Sequence, residues 1–150
     1  MRVVVQRVST AEVKVDKKTE GKIGKGLLIY AGVEKGDSEK EIEYIAEKVL
    51  NLRIFPDENG KMDRSVLDIQ EGAILSISQF TLASYIRKGR RPDFSNALGP
   101  DKAEKLYNHF CTRMSEQIKV EKGVFGAMMD VSSVNDGPVT FILEKRSADS

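Results

Sequence analysis

The sequence predicts one α+β domain, in which mostly antiparallel strands form a barrel-like or layered sheet core with two main helices. Three observations carry that expectation: short segments dense in β-branched residues, two longer windows of helical period, and turn chemistry between them. A length of 150 residues suits one ordinary domain whose core holds without staples. The domain is expected over residues 1–144, followed by a polar C-terminal tail over 145–150.

Residues 2–8 carry valines at 3, 4, 5 and 8, a strand signature. Glu12-Val13-Lys14-Val15-Asp16 alternates polar and apolar, as a half-buried strand does. Gly21, Gly24 and Gly26 precede a compact apolar run, Leu27 to Val33, that reads as a buried strand. Those glycines lack the strand–loop–helix order of a phosphate loop and read as a plain turn. From Ser38 the period changes: Ile42, Ile45, Ala46, Val49 and Leu50 share one helical face, and Ser38 with Glu41 makes a capping-box pattern. Arg53-Ile54-Phe55 reads as a short strand, and Pro56 to Lys61 as a turn built on Asn59-Gly60. Asp57, Asn59 and Asp63 imitate a calcium loop only loosely, because the glycine and terminal glutamate are misplaced. Ala73 to Phe80 is the next strand, and an irregular basic stretch follows at 87–92. Pro100 suits the first position of a second helix, with Leu106, Phe110, Met114 and Ile118 as its buried stripe. Gly123 to Val134 and Val139 to Leu143 read as two strands joined through Asn135-Asp136-Gly137-Pro138, and the tail after Glu144 is expected to lack order.

Charge and composition narrow the function classes. A formal net charge of +1 excludes a general polycation, so any nucleic-acid contact must come from a local patch. One cysteine, Cys111, and one histidine, His109, exclude an internal disulfide and a Cys/His zinc site, and no metal or cofactor is expected. The apolar run after Met1 is too short for a signal peptide, and nothing approaches the roughly 18 apolar residues of a membrane span. A cytoplasmic location without membrane contact is the plain reading.

Few side chains advertise chemistry. His109 lies mid-helix beside an apolar stripe, where a surface or packing role competes with catalysis, and Cys111 on the same helix reads as a packed thiol. Ser78 and Thr81 sit where a strand gives way to a loop, either as site residues or as hydroxyls satisfying a strand end. Arg87, Lys88, Arg90 and Arg91, interleaved with Gly89, form a flexible positive segment that suits phosphate contact or simple solvation.

Over nearly its whole length, from Met1 to about Leu143, the sequence resembles the D-aminoacyl-tRNA deacylases. Residues 1–8, Asn51-Leu52-Arg53-Ile54-Phe55 and Lys88-Gly89-Arg90-Arg91-Pro92 match connecting segments of that family. Ser78-Gln79-Phe80-Thr81-Leu82 is similar to its active-site motif, and residues 134–140, Val-Asn-Asp-Gly-Pro-Val-Thr, to its second motif. Ala83-Ser84-Tyr85-Ile86 departs from the family pattern, and the tail from Lys145 has no counterpart.

The resemblance implies a homodimeric hydrolase that proofreads D-aminoacyl-tRNA, binding tRNA rather than DNA. Ser78, Gln79, Phe80 and Thr81 are then the catalytic segment, working with the 2′-OH of the RNA and with backbone N–H groups around Phe80 and Thr81. A rival mechanism makes Thr81 a nucleophile, although no base for it is visible. Gly137 and Pro138, through a cis bond and from the other subunit, would reject L-amino acids by exclusion, leaving glycyl-tRNA mischarged on tRNA(Ala) as a further substrate. Arg7 either braces that motif or is a surface arginine; Phe125 either stacks on the terminal adenine or is core. Arg87, Lys88, Arg90 and Arg91 would meet the tRNA. Two other functions compete: a hydrolase of free D-amino-acid esters or amides, and a non-catalytic RNA-binding module.

Overall fold

The two valine-bearing signals at the start are one strand. In the computed structural model, which describes residues 1–149, β1 runs Arg2–Val15 without a break. Its length lets it serve two neighbours along one edge. Val3 to Val8 lies antiparallel to β3 (Gly26–Gly32), and Ala11 to Val15 lies antiparallel to β2 (Lys18–Ile23). Gly21 is therefore inside a strand, and the expected glycine turn shrinks to the bend between Ile23 and Gly26.

The other edge of β1 pairs antiparallel with β8 (Asp130–Glu144). The two strands expected at this end are one long strand, and residues 123–129 form a loop ahead of it. Pairing resumes at Val8↔Asn135 after Gln6↔Thr140, so residues 136–139 bulge outward opposite Arg7 alone. The Asn135–Pro138 junction thus interrupts the strand without reversing it, because β1 continues past it.

Parallel pairings complete the sheet. Beyond β3 lie β6 (Ala73–Ser78) and β7 (Lys119–Lys122), both parallel to their neighbours. Parallel neighbours need crossovers, and the two helices provide them: α1 (Glu39–Asn51) between β3 and β6, and α2 (Pro100–Ser115) between β6 and β7. Ser38 opens α1 as expected, its N–H donating to Glu41 Oε2 at 2.8 Å. A small hairpin, β4 (Phe55–Pro56) with β5 (Met62–Arg64), is closed by Asp57, whose Oδ1 accepts the N–H groups of Asn59 and Lys61; the loosely calcium-like segment is a turn.

The expected α+β class holds, as a mixed sheet curled toward a barrel with both helices on its outside. Leu27, Ile29 and Ala31 of β3 face the helices, while Leu28 and Tyr30 face a second core inside the curl with Val8, Val13, Leu75 and Ile77. Burial of both faces explains why Leu27–Val33 reads as continuous rather than alternating. The stripe of α2 is displaced from its expected line: Ala103, Tyr107, Phe110, Cys111 and Met114 are buried, Leu106 only partly, and Ile118 lies beyond the helix. The start of the tail is tied down rather than loose. Lys145 N–H donates to the Met1 carbonyl at 3.0 Å, and Arg146 Nη2 lies 3.4 Å from Glu34 Oε2. Neither helix is long and apolar enough to cross a membrane.

Candidate active site

β6 ends one residue before the chain turns. Gln79 N–H donates to the Ala31 carbonyl at 2.8 Å, prolonging the parallel ladder, and Phe80–Ala83 then winds into a short 3-10 turn. The strand expected to reach Phe80 therefore stops at Ser78. Close approach to β3 requires Gly32, where an added Cβ would lie 2.9 Å from the Gln79 carbonyl oxygen and 2.9 Å from Leu82 Cβ. Phe80 and Thr81 open the turn, so their N–H groups have no partner within it.

Beside this turn lies a cavity of about 690 Å³. Ala31 of β3 and Val33 just beyond it, Ile77 and Ser78 of β6, Gln79 and Phe80 line one side. Residues 97–100, Ala103 and Tyr107 of α2 line another, and Phe125 to Met129 of the 123–129 loop close it. No carboxylate, imidazole, lysine or arginine is among the lining residues. Tyr107 is the sole lining group that titrates, and burial raises its pKa far above neutrality. The Thr81 hydroxyl sits just outside, paired at 2.6 Å with the Gln79 side-chain amide, which is no base. A wall of donors and apolar surface can position an ester and stabilise an oxyanion. It has no side-chain base to activate water.

The structure divides the residues that the sequence singles out. Ser78, Gln79, Phe80 and Phe125 meet at the cavity, with Thr81 on its rim. Gly137 and Pro138 do not line the cavity of their own chain. Their peptide bond is cis, within the bulge opposite Arg7. Asn135 shapes that bulge: its Oδ1 accepts from Val139 N–H at 3.3 Å, and its Nδ2 donates to Thr140 Oγ1 at 3.0 Å.

The basic stretch is the tip of a narrow loop pinched at its base by Tyr85 and Asp93, whose N–H groups each donate to the other's carbonyl at 2.9 and 2.7 Å. Arg87, Lys88, Arg90 and Arg91 are exposed, and Arg87 folds over the Tyr85 ring at 4.4 Å. The returning leg brings Phe94 to 5.3 Å from the Phe80 ring, which sets the loop beside the cavity mouth. A Ser95 N–H bonded to Asp93 holds that carboxyl below its usual pKa, fixing the negative end of the pinch.

His109 and Cys111 take no part in the cavity. His109 Nε2 lies 3.0 Å from Glu43 Oε1 across the helix pair, and Cys111 is buried with its pKa raised by desolvation. Among the described residues, Glu39, Glu43 and His109 bring three potential metal ligands within 4.8 Å, on the outer face of the helices. Sequence reasoning missed Tyr107 and the pair Met128 and Met129. Tyr107 stands one turn after Ala103 and one before Cys111, a spacing that shows it in retrospect.

A family model described as D-Tyr-tRNA(Tyr) deacylase matches residues 4–144. A D-aminoacyl-tRNA deacylase of Kosmotoga olearia is 54% identical over 146 residues, covering 97% of this chain and 98% of its own. One from Bacillus cytotoxicus is 56% identical over 147 residues, covering 97% of this chain and all of its own. A solved structure described as c-Myc DNA Unwinding Element Binding Protein superposes with a TM-score of 0.92 at 42% identity, covering 98% of this chain and 100% of that one. Another, described as a probable eukaryotic D-amino acid tRNA deacylase, has a TM-score of 0.83 at 19% identity over 95% of this chain and 97% of that one, a likeness of fold.

Proposed function

The chain belongs to the D-Tyr-tRNA(Tyr) deacylase family, and from that premise we propose that its 1–144 domain hydrolyses the ester joining a D-amino acid to tRNA. One observation carries the mechanism: no carboxylate, imidazole, lysine or arginine lines the cavity beside Ser78–Thr81. The proton transfer of the hydrolysis is then assigned to the substrate. The terminal ribose carries a 2′-OH next to the ester, held within reach by covalent geometry, an arrangement worth several kcal/mol in favourable cases. Water adds to the carbonyl carbon, and the 2′-OH relays a proton toward the leaving ribose oxygen. The acyl C–O bond breaks, releasing the free D-amino acid and the tRNA 3′-OH. The N–H groups of Phe80 and Thr81 face the developing oxyanion.

Chirality is read by main chain from a second subunit. Two observations support a homodimer in which Gly137 and Pro138 enter the partner's cavity. They stand apart from the cavity of their own chain. β8, which carries them, also leaves Val134 and Ile142 more than half exposed, apolar side chains that a partner's face would cover. Carbonyls placed where an L side chain projects exclude it, while a D side chain points away. Glycine has nothing to exclude, so glycyl-tRNA(Ala) is accepted too. Phe125 takes the terminal adenine against its ring, and Arg87, Lys88, Arg90 and Arg91 meet backbone phosphates. A cytoplasmic location suits such a substrate.

The test compares D-tyrosyl-tRNA with D-tyrosine ethyl ester in steady state. The proposal expects turnover of the tRNA ester and little of the simple ester, which lacks the neighbouring hydroxyl. Equal rates on both would favour a general esterase. Salt-sensitive binding without deacylation would favour an RNA-binding module.

A further inference from the structure

Tyr107 has a hydroxyl that the mechanism above does not use, buried with its residue only 3% exposed. It contacts Ser76 twice, at 2.9 Å to the backbone oxygen and 3.0 Å to Oγ, and Cys111 Sγ lies 3.5 Å from the same Oγ. Each of the three groups has one proton, and one direction satisfies all of them. The thiol donates to Ser76 Oγ, that hydroxyl to Tyr107 Oη, and Tyr107 to the Ser76 carbonyl. The same carbonyl also accepts Gly123 N–H at 3.3 Å. One backbone oxygen therefore ties together α2, the strand leading to Ser78, and the first residue of the 123–129 loop. Above this joint the Tyr107 ring lies 5.9 Å from the Phe125 ring at 44°, a tilted aromatic contact.

We propose that Tyr107 is a positioning residue for the RNA end of the substrate, holding Phe125 and the 123–129 loop at the height where the terminal base stacks. The inference rests on the reading that Phe125 receives that base. The Tyr107 ring supports Phe125, and its hydroxyl fixes that ring on the same carbonyl that anchors Gly123. Loss of the hydroxyl alone keeps the ring but leaves Gly123 as the remaining tie, so the loop gains freedom that substrate binding must then remove. That cost falls on ground-state and transition-state binding alike, and so on KM rather than kcat.

The experiment is a double-mutant cycle on deacylation of D-tyrosyl-tRNA with Tyr107→Phe, Phe125→Ala and the double variant. Tyr107→Phe is expected to raise KM about threefold to tenfold, the scale of one missing buried hydrogen bond, with kcat within about twofold. Phe125→Ala is expected to raise KM about tenfold. In the double variant the Tyr107 effect should vanish, because the ring it positions is gone. A purely structural role would lower the active fraction, and hence kcat, equally in both backgrounds. If Tyr107→Phe does not fold, Ser76→Ala, which removes half of the hydroxyl's anchorage, is read in the same cycle with an expected KM rise of about twofold. Additive effects, or an unchanged KM in Tyr107→Phe while Phe125→Ala raises it, would overturn the role of Tyr107 alone. An unchanged KM in Phe125→Ala would overturn the stacking reading and this proposal with it.

Discussion

Arg7 grips Asp136 twice: its Nε lies 3.3 Å from the backbone oxygen of Asp136 and 3.3 Å from Oδ2. Its Nη1 donates to the Ile54 carbonyl at 2.7 Å, so one guanidinium joins β1, the bulge before Gly137 and the segment leading into β4. The Arg7 side chain is only 11% exposed, which strengthens its bond to the Ile54 carbonyl, while Asp136 stays about half exposed at 48%.

Arg7→Ala should therefore lower stability by about 1–3 kcal/mol in urea unfolding, the range for removing partly buried charge-assisted hydrogen bonds. Under the proposed chiral role of the bulge, it should also lower the ratio of D- to L-tyrosyl-tRNA deacylation. Arg7→Lys should recover only part, because an ammonium cannot reproduce the fork. Reduced stability with an unchanged ratio would make Arg7 a structural brace and nothing more.

His109 offers a clean control. It faces Glu43 across the helices, away from the cavity, so His109→Ala should keep kcat within about threefold of the parent. A loss on the order of a thousandfold would mean that an imidazole does the chemistry after all.

The pinched basic loop makes a prediction about salt. Replacing Arg87, Lys88, Arg90 and Arg91 by Ala should weaken tRNA binding and flatten the slope of log Kd against log salt, by roughly 0.7–0.9 for each phosphate that is no longer neutralised. Turnover at saturating substrate should change less. A slope equal to that of the parent would assign these four cations to solvent.

Thr81 and the RNA hydroxyl can be separated directly. With an amide as its partner, the Thr81 hydroxyl lacks a base, so Thr81→Ala should keep substantial activity through the backbone N–H that it retains. A D-tyrosyl ester on tRNA ending in 2′-deoxyadenosine should instead lose about a hundredfold or more. An acyl group trapped on Thr81 and detected by mass spectrometry would restore the nucleophile.

Much of this was legible in residue order. The period change at Ser38, the apolar block at Leu27 and the strand end read at Phe80 follow from local chemistry, and each falls within a few residues of its place in the structure. What the pattern could not give was pairing. β7 is four residues of mixed polarity, Lys119–Lys122, and exists as a strand because β6 offers it an edge. β8 reads as two strands because Asn135-Asp136-Gly137-Pro138 is strong turn chemistry, yet β1 spans the interruption and holds both halves in line. At the site, the Ser78–Thr81 segment was visible as a motif. The cavity's lack of acids and bases was not, because it depends on Ala31, Ile77, Leu98 and Met129 arriving from separate segments. Tyr107 was hidden by its own hydroxyl, which reads as polar until Ser76 is seen to satisfy it.

The central claim is that this protein removes D-amino acids from tRNA and spares L-amino acids. Its most direct test is the deacylation rate of D-tyrosyl-tRNA and of L-tyrosyl-tRNA, measured side by side with the unmodified protein under single turnover. The account predicts release of the D-amino acid at least on the order of a hundredfold faster than its L counterpart, the discrimination expected when a site excludes one of two isosteric substrates. Equal rates, or faster release of the L-amino acid, would contradict it.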